Sequence, residues 1–137
     1  YERKHIEAVR AAATVAPHVL QVEAHPFFPN ADLRTYAQGL GIVFEAWSPL
    51  ARGRATTDPT LRAIADQLGV SAAQVALRWA IDRGHVVFPK TLRRERMATN
   101  IDAFSFSLTP EQTARIDTLN RGESGRTGSH PATMNRL

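Results

Sequence analysis

Apolar residues recur along this chain in two rhythms, one helical and one of short unbroken runs. In residues 2–13, Ile6, Val9 and Ala13 fall on one side of a helical turn, and Glu2, Arg3, Lys4, Glu7 and Arg10 on the other. That spacing predicts an amphipathic helix, broken at Pro17. Residues 19–23 form a short strand that His25-Pro26 ends. Asn30 reads as the N-cap of a helix burying Leu33, Tyr36, Ala37 and Leu40, with Gly39 and Gly41 at its end. Residues 42–46 are mostly apolar and rich in β-branched and aromatic residues, the mark of a strand buried on both faces. They lead into a loop that opens with Trp47 and Ser48 and carries Arg52 and Arg54.

Asp58-Pro59 is an N-cap followed by proline at the first helical position. Leu61, Ile64, Ala65 and Leu68 make the stripe of that helix, and Gly69 stops it. Ser71 and Gln74 have the spacing of a capping box. They open a helix that carries Val75, Trp79 and Ala80 and closes at Arg83-Gly84. Residues 85–89 are the third strand. A basic helix follows Lys90-Thr91, with Met97 and Ile101 as its inner positions. A second capping box, Thr109 to Gln112, starts a last helix that ends near Leu119. The tail over 122–137 lacks an apolar period and reads as an extended surface segment or a partly disordered one.

Strands alternating with helices define an α/β chain of about three parallel strands joined by crossover helices. Such strands bring their carboxyl ends to one face. Here that face collects Gln21, Glu23 and His25 from the first strand and Trp47, Ser48 and Arg52 from the second. The third brings Lys90 and Thr91, with Arg93, Arg94 and Arg96 just inside the helix beyond. Gln21 can hydrogen-bond a carboxamide. Trp47 can lie flat on an aromatic ring. Lys90, Thr91 and Arg96 at a helix N-terminus can hold a phosphate. Together they describe a site for a nicotinamide dinucleotide with an extra phosphate. No glycine-rich fingerprint follows a strand, which argues against a Rossmann domain.

Each residue also has an ordinary reading. Gln21 can be a satisfied strand amide, Trp47 a lid on the core, residues 90–96 a solvated helix face and His25 a structural histidine. Their joint occurrence at successive strand ends favours a site. Trp79 and Tyr36, at helical spacing, read as core.

Composition narrows the field further. The 137 residues are 43% hydrophobic and 22% charged, as in an ordinary globular domain. The formal charge is +4, but the cations are interleaved with acids or set in helices, which argues against a nucleic-acid binder. With no cysteine, disulfides and thiolate metal sites are excluded, and a reducing, cytoplasmic setting fits. No apolar run is long enough to span a membrane, and the first residues do not form a signal peptide.

At this point several motifs resemble the aldo-keto reductases. They are Gln21 to Pro26, Glu45 to Leu50, Gln74 to Trp79, Phe88 to Thr91 with the run through Arg96 to Asn100, and Phe104 to Thr109. They stand in that family's order and cover nearly the whole chain. Trp47 and the tail residues Ser124 to Arg126 and His130-Pro131 look most like the bacterial 2,5-diketo-gluconate reductases. The resemblance implies a (β/α)8 TIM barrel with NADP(H) laid across its mouth. It implies Gln21 at the nicotinamide carboxamide and Trp47 stacked on the ring. Ser48, Leu50 and Arg52 then follow the pyrophosphate. Lys90, Thr91 and Arg96 hold the 2′-phosphate, Arg93 adds a phosphate contact and Asn100 meets the adenine. The position before Asn100 is often Glu in the family and is Thr99 here.

The family's catalytic Asp, Tyr, Lys and His lie on the first half of the barrel, and no residue here matches them. A whole barrel takes about 250 residues. The chain is therefore expected to be the C-terminal, cofactor-binding part of a reductase of aldehydes or ketones, keto-sugar acids among them. Alone it is expected to be inactive, and to need the missing N-terminal half or to self-associate. The alternative is a non-catalytic NADP-binding regulatory or interaction module on the same fold.

Overall fold

The computed structural model describes residues 1–134; the last three residues of the predicted tail lie outside that range. Its elements, in order, are α1 (Arg3–Ala12), β1 (Val19–Glu23), α2 (Ala31–Gly39), β2 (Val43–Trp47), α3 (Pro59–Leu68), α4 (Ala72–Asp82), β3 (Val86–Val87), α5 (Arg94–Ile101) and α6 (Pro110–Asp117). The sheet is parallel in the order β1-β2-β3. This is the strand–helix alternation expected of part of a (β/α) barrel.

The caps form as the local signals dictate. Asp58 accepts from the backbone N–H groups of Thr60 and Leu61, and Gly69 ends α3 at φ 67°. Ser71 with Gln74 and Thr109 with Gln112 close reciprocal capping boxes. A third box, between Glu2 and His5, opens α1.

Two apolar clusters flank the sheet's helical side. In one, Ile6, Leu20, Val22, Phe44 and Ala46 pack on Ala37 and Ile42. In the other, α3, α4 and α6 meet around Leu61, Ile64, Val75, Trp79 and Ile116. The Trp79 indole N–H donates to Asp117 at 3.0 Å, so the buried ring keeps its one polar atom satisfied. Tyr36 is only half-buried, with Arg3 over its ring and its hydroxyl on Glu7.

Several boundaries and faces differ from the sequence expectation. Val9 is exposed and Ile6 is the buried residue of α1, because only that turn of the helix meets the sheet. Asn30 precedes α2 in a left-handed conformation and does not cap it through its side chain. That side chain donates instead to the carbonyl of Glu23 at 3.3 Å. β2 is shifted by one residue and includes Trp47. β3 shrinks to two residues, since Pro89 has no N–H with which to extend the ladder. Met97 and Ile101 are not inner positions. They are 47% and 73% exposed, because α5 rides on the rim and buries no residue.

Over the described residues the tail is a surface segment that docks on the body of the chain. Arg121 N–H donates to the carbonyl of Phe27. The backbone turns through Gly122–Gly125, and Arg126 lies over the Phe28 ring.

Candidate functional site

A cleft of about 900 Å³ opens at the carboxyl ends of the strands. Three stretches build it: the loop after β2, the start of α4, and the segment from Phe88 into α5. Gln21, Trp47, Ser48, Leu50, Arg52, Lys90, Thr91, Arg96 and Asn100 all line it. Arg93 does not. It sits at the N-cap of α5 rather than inside the helix, and its backbone N–H donates to Thr91 Oγ1 at 3.1 Å.

The strands set the first wall. Gln21 stands opposite Glu45 in the β1–β2 register, and its amide nitrogen donates to Glu45 Oε2 at 3.1 Å. That bond fixes the amide and leaves its oxygen free to accept. Trp47 stands opposite Glu23 and is 41% exposed, an indole at the mouth rather than in the core. Arg52 lies 5.7 Å from the centre of its ring, within range of a cation–π contact.

The loop after β2 is held in an unusual backbone path. Ser48, Ala51 and Arg52 have positive φ of 55°, 48° and 54°, and Gly53 follows at 97°. Ala51 N–H donates to the Ser48 carbonyl at 2.8 Å, and Arg52 N–H to Ser48 Oγ at 3.3 Å. Left-handed conformations at three non-glycine residues cost free energy that the surroundings must offset, and they gather where a site needs a fixed shape.

The charge pattern is one-sided. Arg52, Lys90 and Arg96 line the cleft, and among the described residues no carboxylate does. Among the described residues none of these three cations forms an ion pair with another side chain of the chain. Three uncompensated cations beside a helix N-terminus make an anion-binding surface.

Glu23 and His25, expected at the same face, are instead buried. Burial works to raise the Glu23 carboxyl. Donors from Thr127, Gly128 and His25 outweigh it and hold the group below the usual carboxylate range. Burial pushes the His25 imidazole down, against the pull of Glu23. Ser71, Ala72 and Ala73, which in the sequence mark only a helix start, bring the start of α4 to the cleft wall. Their small size beside a capping box was the available signal.

A second cleft, of about 420 Å³, lies across Trp47 from the first. Its walls come from Tyr1 and His5, from β1, from Trp47 and Arg52, and from the tail residues between Arg126 and Met134.

A parallel sheet with crossover helices and a cationic cleft at its strand ends is part of a (β/α) barrel of the ligand-binding kind. Residues 1–121 match the aldo/keto reductase family, and the chain belongs to it. An aldo-keto reductase of Mycolicibacterium smegmatis is 39% identical over 135 residues, 98% of this chain and 48% of that protein. A glyoxal reductase of Bacillus subtilis is 40% identical over 131 residues, 96% of this chain and 47% of that protein. A crystal structure of a substituted form of Gox0644 in complex with NADPH superposes with a TM-score of 0.94 at 34% identity. It covers 99% of this chain and 50% of that one. The chain thus spans about half the length of the relatives it matches.

Proposed function

We propose that this chain supplies the NADP(H)-binding part of a reductase that converts an aldehyde or ketone to an alcohol. The observation that carries the reading is the cleft, in which three cations, one exposed indole and one oriented amide converge with no carboxylate among the described residues that line it. Relatives support it, since one is a glyoxal reductase and a structural neighbour was crystallised with NADPH.

The donor set fits such a cofactor. In the proposed arrangement Gln21, held by Glu45, offers its free amide oxygen to a carboxamide N–H. Trp47 presents a flat face for stacking. Ser48, Leu50 and Arg52, on the rigid loop, follow the pyrophosphate. Lys90, Thr91 and Arg96 hold the 2′-phosphate. Thr91 Oγ1 already accepts from Arg93 N–H, so its own hydrogen is free to donate. Arg93 contributes at longer range from the cap, and Asn100 meets the adenine. Held by these residues, a reduced nicotinamide would supply the hydride for a carbonyl carbon. No residue of this chain is assigned as the proton donor.

Titration of the full-length protein with NADPH and NADH tests the reading. NADPH is expected to bind more tightly. Lys90→Ala and Arg96→Ala are each expected to weaken NADPH by about 10- to 100-fold, the range for charge-assisted hydrogen bonds, while NADH changes little. Absence of NADPH binding, or equal losses for both nucleotides, would refute the assignment. NADPH binding without oxidation by glyoxal or any other aldehyde would favour the non-catalytic module instead.

A further inference from the structure

The tail crosses the carboxyl end of β1 and ends one of its contacts on a single buried side chain. Glu23 is 6% exposed. Its Oε1 accepts from Thr127 N–H and Thr127 Oγ1, each at 2.6 Å. Its Oε2 accepts from Gly128 N–H at 2.9 Å. His25 Nε2 lies 3.0 Å from Oε1 and braces the carboxylate from the core side. Three donors from two consecutive residues meet one carboxylate more than 100 positions earlier in the chain. Such a convergence is strong because the acceptor is charged and shielded from water.

The clamp delivers the tail backbone to the indole. A Cβ added at Gly128 would lie 2.9 Å from Trp47 Cζ3 and 3.0 Å from Glu23 Oε2. A side chain at that position would have to push the indole or the carboxylate aside. Glu23 and Trp47 also share one rung of the β1–β2 ladder, so clamp and ring are set by the same pair of strands. The rest of the tail is anchored independently. Arg121 N–H bonds the Phe27 carbonyl, and Gly125 packs directly on that carbonyl. Loss of the clamp would therefore loosen Thr127 and Gly128 beside Trp47 and leave the earlier anchors in place.

We propose that Glu23 is a positioning residue: through Thr127 and Gly128 it clamps the tail against Trp47 and thereby fixes the plane of the indole that borders the cofactor cleft. The proposal rests on the cofactor role given above to Trp47. It explains why a carboxylate is buried at this strand end. A neutral amide of the same size would turn its NH2 against at least one of the three donors.

The test uses Glu23→Gln and Gly128→Ala in the full-length protein, each alone and combined with Trp47→Phe. Trp47 emission is obtained by subtracting the spectrum of the Trp47→Phe protein. In the ligand-free state both substitutions are expected to shift that emission to the red, as the ring loses the tail. Each is expected to raise the dissociation constant for NADPH about tenfold in the Trp47 background, the scale of one lost charged hydrogen bond. In the Trp47→Phe background the same substitutions are expected to change it less than twofold.

Equal losses in both backgrounds would overturn the proposal, because the clamp would then act on the fold and not through the ring. Unchanged emission and unchanged affinity would overturn it too. Should the unsubstituted protein bind no NADPH, the cofactor reading fails while the emission shift still decides whether the clamp holds the ring. Gly128→Ala keeps the test open if Glu23→Gln does not fold, since Gly128 lies outside the apolar clusters.

Discussion

His85 shows what burial does to a single titratable residue. Its imidazole is 5% exposed, packed 4.9 Å from the Phe44 ring and 6.0 Å from Trp79. Among the described residues neither ring nitrogen has a hydrogen-bond partner. Burial pushes its pKa down to about 4, and the charges of Arg34 and Arg83 act the same way. The unfolded chain therefore binds a proton between about pH 6.5 and pH 4 that the folded chain refuses. Stability must fall as the pH drops through that window, by up to about 3 kcal/mol at its lower end. Glu23 behaves differently. Its lowered pKa gives stability that is complete above the usual carboxylate range and is lost progressively as the pH falls from that range toward the lowered folded-state value. Urea midpoints of the full-length protein between pH 7 and pH 4.5 are expected to decline. His85→Phe is expected to flatten that decline; an unchanged slope would show that other groups carry it. Neither residue was legible as such. A lone histidine at a strand start and a glutamate at a strand end carry no periodic signal. The partners of Glu23 lie more than 100 positions away, beyond any local pattern.

The caps and most helix spans could be read because their causes lie within four residues. Asp58, Ser71 and Thr109 each satisfy backbone donors of their own first turn. The two-residue β3 and the exposed face of α5 could not, since both depend on what packs around them. The cleft was legible for a mixed reason. Parallel strands force their ends together, so residues at three strand ends needed no further information to converge. The tail is the element least visible in its sequence, and its anchor on Phe27 turns on one glycine. A Cβ at Gly125 would meet the Phe27 carbonyl oxygen at 1.9 Å, a distance no side-chain movement can relieve. Gly125→Ala is expected to lift the tail off Phe27 and to break the Arg121 bond to that carbonyl. Trypsin is then expected to cut at Arg121 and Arg126 at least tenfold faster, by the loss of a local anchor. Gly69→Ala is the control. It sits at φ 67° in open space and is expected to cost about 1 kcal/mol at the end of α3 without changing cleavage of the tail. Equal cleavage rates in all three proteins would mean that the tail is held elsewhere.

At the scale of the whole molecule, the two faces of the sheet are treated differently. Helices cover the side of Leu20, Val22, Phe44 and Ala46. The other side presents Val19, Val43, Trp47, Val86 and Phe88, all exposed, with the Gln21–Glu45 pair as a polar rung among them. Among the described residues, β1 and β3 each pair on one edge only. In a closed barrel of eight strands that face is the interior and neither edge exists. Three strands cannot close, so the 137-residue polypeptide by itself would leave an apolar row and two open edges in water. Both features drive association. The net charge of +4 opposes it weakly and is screened at ordinary ionic strength. The polypeptide expressed alone is therefore expected to show a mass by light scattering that rises with concentration. Val86→Lys and Phe88→Lys together, which place charge on the exposed face and leave the two buried clusters untouched, are expected to shift it toward the monomer. A monodisperse monomer at every concentration tested would show that the helical side alone sustains a soluble unit. The exposed face would then be a tolerated surface rather than half of a core.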